Sequence, residues 1–147
     1  MLGKWRISRW VTREVSVEVS EQSGIRSLHL GSATVQSSMK LEDPYELVLS
    51  YTRAMMAFLL FHPRPQHILV IGLGGGSLPK FVYKHFPDAR TTVIESEPKV
   101  IAVARQYFHL PPDDERFVVE AAEGGAWVAA HPDCCDVLMV DGYDGSE

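Results

Sequence analysis

The sequence has little of what marks several large classes of protein. Its 147 residues include two cysteines, Cys134 and Cys135, and these are neighbours. Adjacent cysteines make a strained bridge, so no disulfide framework is expected. Neither they nor the six histidines stand at metal-ligand spacing, and no metal is expected. Long apolar runs are missing as well. No window approaches the roughly 20 apolar residues of a membrane span, and Met55 to Phe61 is short and flanked by Arg53 and His62. No apolar signal-peptide stretch opens the chain. Positive charge is in deficit, 14 Lys and Arg against 19 Asp and Glu for a net charge of −5. Nucleic-acid phosphates need clustered basic groups, and only Lys4, Arg6, Arg9 and Arg13 are even loosely grouped. A cytoplasmic protein without a nucleic-acid or membrane partner is therefore expected. There is also no internal repeat, low-complexity segment, nucleophile elbow, Walker loop or cysteine–histidine pairing.

What is present is a chain of about one domain, with 46% hydrophobic residues to build a core. Three segments follow one another. Residues 1–42 read as β-rich: Val15, Val17 and Val19 alternate with Ser16, Glu18 and Ser20. Ser23-Gly24 then turns the chain into a return strand carrying Ile25, Leu28 and Leu30, and a third strand is expected from Ala33 to Ser38. Residues 43–63 read as a linking helix, with Asp43 as N-cap and Pro44 at its first position. Leu47, Val48, Tyr51, Ala54, Met55, Phe58 and Leu59 form its apolar stripe.

From residue 64 to 147 strands alternate with helices, the pattern of βαβ units and a parallel sheet. Strands are expected at 68–71, 91–95, 117–119 and 137–140, with helices at 77–85, from Pro98, and at 125–130. Val100, Ile101, Val103 and Ala104 should point inward from the second helix. The fold class is thus α/β, a Rossmann-like parallel sheet preceded by a small antiparallel sheet. Such a sheet would leave its fourth strand as a bare edge. Either the chain is a fragment, incomplete at its C-terminus, or a partner covers that edge; the first is preferred.

The chemistry concentrates at the ends of these strands. Gly72-Leu73-Gly74-Gly75-Gly76-Ser77 lies where the first strand hands over to a helix. Glycine there permits positive φ and lets a ligand approach the backbone. A tight turn with no ligand is the alternative. Glu95 follows about twenty residues later at the end of the second strand, where a carboxylate can accept from both ribose hydroxyls. Glu97 is either a second ligand or a helix-start carboxylate. Glu123, just after the third strand, could accept from an adenine amino group or be a solvated loop residue. Asp141 and Asp144 close the fourth strand, and a carboxylate leaving an apolar run suits a general base or a cation anchor. The histidines, His29, His62, His67, His85, His109 and His131, read as surface or loop residues.

The glycine turn, Val93-Ile94-Glu95-Ser96-Glu97-Pro98, Glu123-Gly124 and Asp136-Val-Leu-Met-Val-Asp141, in that order, resemble the polyamine aminopropyltransferases, the spermidine synthase family. The likeness extends upstream through Gln36-Ser37-Ser38 and covers nearly the whole chain. The resemblance implies a methyltransferase-type Rossmann fold, decarboxylated S-adenosylmethionine as aminopropyl donor, and a small-molecule amine acceptor. It assigns Gly72, Gly74, Gly75, Gly76, Glu95 and Glu123 to donor binding, and Asp141 and Asp144 to catalysis. Three positions depart from the family pattern. Gly75 stands in place of an aspartate, Tyr51-Thr52-Arg53 in place of Tyr-His-Glu, and Gly145 in place of a proline. An S-adenosylmethionine-dependent methyltransferase, and a non-catalytic binding or dimerisation module, are the alternative functions. Arg53, if it faced the pocket, would favour a carboxylate-bearing donor. The N-terminal sheet is the expected contact in a homodimer.

Overall fold

The computed structural model describes residues 5–11 and 16–142, so Val15 of the expected alternation lies outside the described residues. Its first half is an antiparallel sheet of β1 (Trp5–Val11), β2 (Ser16–Gln22), β3 (Ile25–Leu30) and β4 (Ser37–Lys40), in that spatial order. The β2–β3 hairpin closes through the two residues Ser23 and Gly24, both at positive φ (52° and 75°), the turn whose twist matches paired strands. The period-2 pattern is realised: Val17, Val19 and Leu28 are buried on one face. His29 differs from its surface reading. It is 3% exposed, its Nδ1–H directed at the carbonyls of Ala33 and Thr34 (3.2 and 3.1 Å) and its Nε2 accepting from Ser20 Oγ (2.9 Å). Those carbonyls belong to bends before β4, which therefore starts later than the strand expected from Ala33.

The linking segment is less helical than its apolar stripe suggests. Helix α1 covers only Ser50–Met55 and continues as a 3-10 turn through Met56–Leu60. Asp43 is no N-cap; its Oδ1 accepts from the N–H of Tyr45 two residues on (3.3 Å), closing a local turn. The carboxylate of Glu46 is bound by Lys40 Nζ at 2.7 Å through both oxygens, and Leu47's carbonyl accepts from Arg53 Nε. The Lys40 bonds tie this segment to β4 and the Arg53 bond ties it to α1, in a conformation that competes with a helix.

The second half follows its pattern closely. Strands β5 (His67–Ile71), β6 (Arg90–Glu95), β7 (Phe117–Ala121) and β8 (Val137–Val140) alternate with α2 (Ser77–His85), α3 (Pro98–Tyr107) and α4 (Gly124–Ala130). All pairings are parallel and the order is β7-β6-β5-β8, so the chain leaves β5 to one side for β6 and later returns to its other side for β8. That reversal opens a crevice above the carboxyl ends of the strands. Ile68, Leu69 and Val70 are buried, as expected of a strand covered on both faces. Val100, Val103 and Ala104 turn α3 onto the sheet, with Ile101 partly buried. On β8, Val137 and Met139 are buried while Leu138 and Val140 are exposed. Among the described residues, β8 pairs with β5 alone. No described helix is long and apolar enough to cross a membrane.

Candidate nucleoside site

A cavity of about 380 Å³ lies at the crevice, bounded by the glycine turn, the ends of β5, β6 and β8, and the edge of the N-terminal sheet. Gly72 ends β5 at φ 92°, and a Cβ there would stand 2.3 Å from the carbonyl oxygen of Asp141. The turn and the end of β8 can touch only because this residue has no side chain. Gly75 is constrained differently. A Cβ there would meet Ser37 Oγ at 2.8 Å and Phe108 Cδ1 at 2.9 Å, so the space behind it is already filled. This fits the absence of a carboxylate at that position.

Glu95 spans the mouth of the turn. Its Oε2 accepts from the N–H of Leu73 and its Oε1 from the N–H of Glu97, both at 2.9 Å. Ser96 Oγ also donates to Oε1, at 3.5 Å; a carboxylate offers about four acceptor sites, so acceptor capacity remains for a ligand while the backbone bonds fix its orientation. Glu97 is the N-cap of α3, accepting from Lys99 N–H (3.1 Å). Glu123 caps α4, accepting from the N–H groups of Ala126 (2.7 Å) and Gly125 (2.8 Å). Those two bonds hold its carboxyl below the usual carboxylate range. Both helix-capping glutamates nonetheless line the cavity.

Asp141 follows β8 on the same rim as Glu95, and its Oδ2 accepts from the hydroxyl of Tyr51 at 3.3 Å. Burial pushes the Asp141 carboxyl above its ordinary value, against the pull of that hydrogen bond. The phenol moves in the same direction: burial, then the Asp141 charge and the shared hydrogen bond, raise Tyr51 to about 12. Asp144 and Gly145 lie outside the described residues. Arg53 is not part of the cavity lining; its guanidinium is turned to Leu47's carbonyl and lies 3.8 Å from Glu46.

The side chains thus converge with one sign of charge. Glu95, Glu97, Glu123 and Asp141 line the cavity, and no Lys, Arg or His does so among the described residues. Ile71, Ile94, Val100 and Leu78 supply apolar wall. Such a hollow suits a ligand with a flat apolar body, hydroxyls to donate to fixed carboxylates, and positive charge at its far end. Ser37 was not singled out as a site residue, yet its hydroxyl contacts Ser77 Oγ at 3.2 Å and faces the cavity. Nothing local in the sequence pairs those two serines, or pairs Tyr51 with Asp141 ninety positions away. No cluster of His, Cys, Asp and Glu among the described residues is arranged to hold a metal ion.

Known proteins resemble this chain in sequence and in fold. The family model described as "Spermine/spermidine synthase domain" matches residues 48–147. The chain is 52% identical over 129 residues to a polyamine aminopropyltransferase of Chromobacterium violaceum, covering 88% of this chain and 49% of that protein. It is 38% identical over 113 residues to the human eEF1A lysine and N-terminal methyltransferase, 67% of this chain and 16% of that one. Among solved structures, the spermidine synthase of Thermotoga maritima superposes with a TM-score of 0.75 at 22% identity, over 96% of this chain and 48% of the other. Human methyltransferase-like protein 13 in complex with SAH gives 0.59 at 34% identity, over 67% and 50%. The chain spans about half the length of the aminopropyltransferases named here.

Proposed function

Because the chain belongs to the spermine/spermidine synthase domain family, we propose that its cavity binds decarboxylated S-adenosylmethionine and serves aminopropyl transfer to a small amine. The observation that carries this reading is the charge of the lining: four carboxylates and no described cation. The decarboxylated donor is cationic at both its sulfonium and its terminal ammonium. S-adenosylmethionine adds a carboxylate that would find like charge and no basic partner.

In this reading the ribose hydroxyls donate to the free acceptor sites of Glu95, and the adenine lies between Ile71, Ile94 and Val100, its amino group toward Glu123. The propyl chain then runs toward Tyr51 and Asp141. A neutral amine attacks the carbon bound to sulfur: the C–N bond forms, the C–S pair leaves with sulfur, and methylthioadenosine is released. The attacking nitrogen must lose a proton, and Asp141, whose pKa burial raises toward the working range of a base, accepts it. Tyr51 holds the carboxylate in place from the side. Asp144 is retained as the second carboxylate of this group.

The test is a product assay on the intact chain. Incubation with decarboxylated S-adenosylmethionine and a diamine should yield methylthioadenosine and an aminopropylated amine. Methylation of any acceptor from S-adenosylmethionine would instead support the methyltransferase reading, which the 38% identity to a human methyltransferase favours. A folded chain that binds neither donor nor methylthioadenosine would leave only the binding-module reading.

A further inference from the structure

The glycine turn has one internal backbone hydrogen bond, from Gly76 N–H to the Leu73 carbonyl at 2.8 Å, and few side chains to hold its shape. Gly72, Gly74 and Gly76 all lie at positive φ (92°, 54° and 73°), and four of its six residues have no side chain to pack. Its position depends on what stands behind it. Three side chains do: Ser37 and Phe108 behind Gly75, and Leu110 behind Gly76, where a Cβ would come within 2.7 Å of Leu110 Cδ1. Between Phe108 and Leu110, His109 turns the chain at φ 54°, a conformation that a non-glycine residue keeps only when its surroundings impose it.

The surroundings include a buried lysine. Lys80, on the first turns of α2, is 1% exposed, and its ammonium donates to the carbonyl of Phe108 at 2.6 Å. Burial lowers its pKa from 10.5 to about 7, and no charged group contributes to that shift. An apolar side chain of the same length would avoid this desolvation cost, so a packing role alone does not account for a lysine. Phe108 is the C-cap of α3, where helix carbonyls lack intrahelical partners and the dipole favours cations. The adjacent carbonyl of Tyr107 accepts from Arg26 Nη1 of β3 at 2.7 Å. Two basic side chains, one from each sheet's half of the molecule, therefore clasp the end of α3 directly behind the donor cavity.

We propose that Lys80 is a positioning residue for the glycine turn. By fixing the Phe108 carbonyl it seats Phe108 and Leu110 against Gly75 and Gly76, which do not themselves line the cavity, and so sets the adjoining backbone of Gly72 to Gly74 that does. The term donor rests on the function proposed above; the positioning itself does not.

The test uses the whole chain, ligand-free, with residue-resolved amide exchange by NMR on wild type, Lys80→Met and Leu110→Ala. Exchange at Gly76, Phe108 and Leu110 should accelerate at least tenfold in Lys80→Met, while Val70 and Val93 in the central strands change less than threefold. Leu110→Ala, which removes a prop and leaves the Lys80–Phe108 hydrogen bond intact, should accelerate Gly76 similarly, and Lys80→Gln takes the place of Lys80→Met if that variant does not fold. Unchanged exchange at Gly76, or acceleration spread evenly over the sheet, overturns the proposal. A calorimetric arm uses methylthioadenosine, which Lys80→Met should bind at least tenfold more weakly. Equal affinity in a variant with a loosened turn overturns the site-shaping role. Failure of wild type to bind methylthioadenosine would count against the adenosyl reading, with the exchange arm still deciding the role of Lys80.

Discussion

An aspartate flanks strand β8 at each end, and the two behave in opposite ways. At the start, Asp136 accepts from His62 Nε2 (2.7 Å) and from the N–H groups of Gln66 (2.8 Å) and His67 (2.7 Å). Burial pushes its pKa up, but these hydrogen bonds outweigh it and bring the carboxyl down to about 2. At the far end, Asp141 receives a single hydroxyl at 3.3 Å, and burial leaves its carboxyl above the ordinary value. A carboxylate saturated by donors fastens one segment to another. One that is partly buried and under-supplied is open to a ligand's hydrogen or positive charge. The same contrast separates the two ends of the whole parallel sheet: ties at the amino end, a cavity at the carboxyl end.

The severest way to break that contrast is Gly72→Ala. The added methyl would lie 2.3 Å from the Asp141 carbonyl at a φ that L-residues rarely adopt. The loss of stability should exceed about 3 kcal/mol, read by chemical denaturation, and methylthioadenosine binding should vanish with it. Glu95→Ala comes next. Stranding the donors it satisfies should weaken methylthioadenosine binding by about 1–3 kcal/mol, measured by calorimetry. A change below about threefold would remove Glu95 from the site.

A paired exchange of the two aspartates sharpens the comparison. Asp136→Ala strands two backbone N–H groups near solvent and should cost about 1–2 kcal/mol of stability, with ligand affinity kept. Asp141→Asn should do the reverse, sparing or raising stability near neutral pH while abolishing transfer. The sign follows from linkage: a carboxyl raised on folding makes stability fall as pH rises from 3.8 through its folded value, and asparagine removes that loss. Equal effects of the two variants on binding would erase the distinction.

The remaining predictions concern pH dependence. Asp136, lowered on folding, contributes stability above pH 3.8 that drains away toward about pH 2. Lys80, lowered to about 7, binds its proton less well in the folded chain than in the unfolded one. Stability should therefore rise between about pH 7 and 10.5, and Lys80→Met should flatten that rise in a denaturation series.

Much of the second half was legible from local pattern. The helix at 77–85 and the strand at 137–140 lie where glycine, apolar runs and turn residues put them, because each boundary is set by neighbours in the chain. The helix expected from Pro44 was not, since it competes with contacts that no periodicity marks: Lys40 of β4 binds the Glu46 carboxylate, and Lys84 of α2 lies 3.6 Å from Asp43. The same division runs through the site. Glu95 and Asp141 could be found because strand ends are visible in sequence. The cap role of Glu97 was one of two readings left open, whereas that of Glu123 was not anticipated and needed coordinates to appear beside its place in the cavity wall. The Tyr51–Asp141 contact and the serine pair across the two halves depend on tertiary packing, which no local spacing encodes.

Comparative titration calorimetry with decarboxylated S-adenosylmethionine and S-adenosylmethionine, on the same chain at neutral pH and low salt, tests the charge argument most directly. Four carboxylates facing a ligand without a described cation among them should favour the decarboxylated donor at least tenfold, and added salt should shrink the ratio. Equal affinities, or tighter binding of S-adenosylmethionine, would contradict the account.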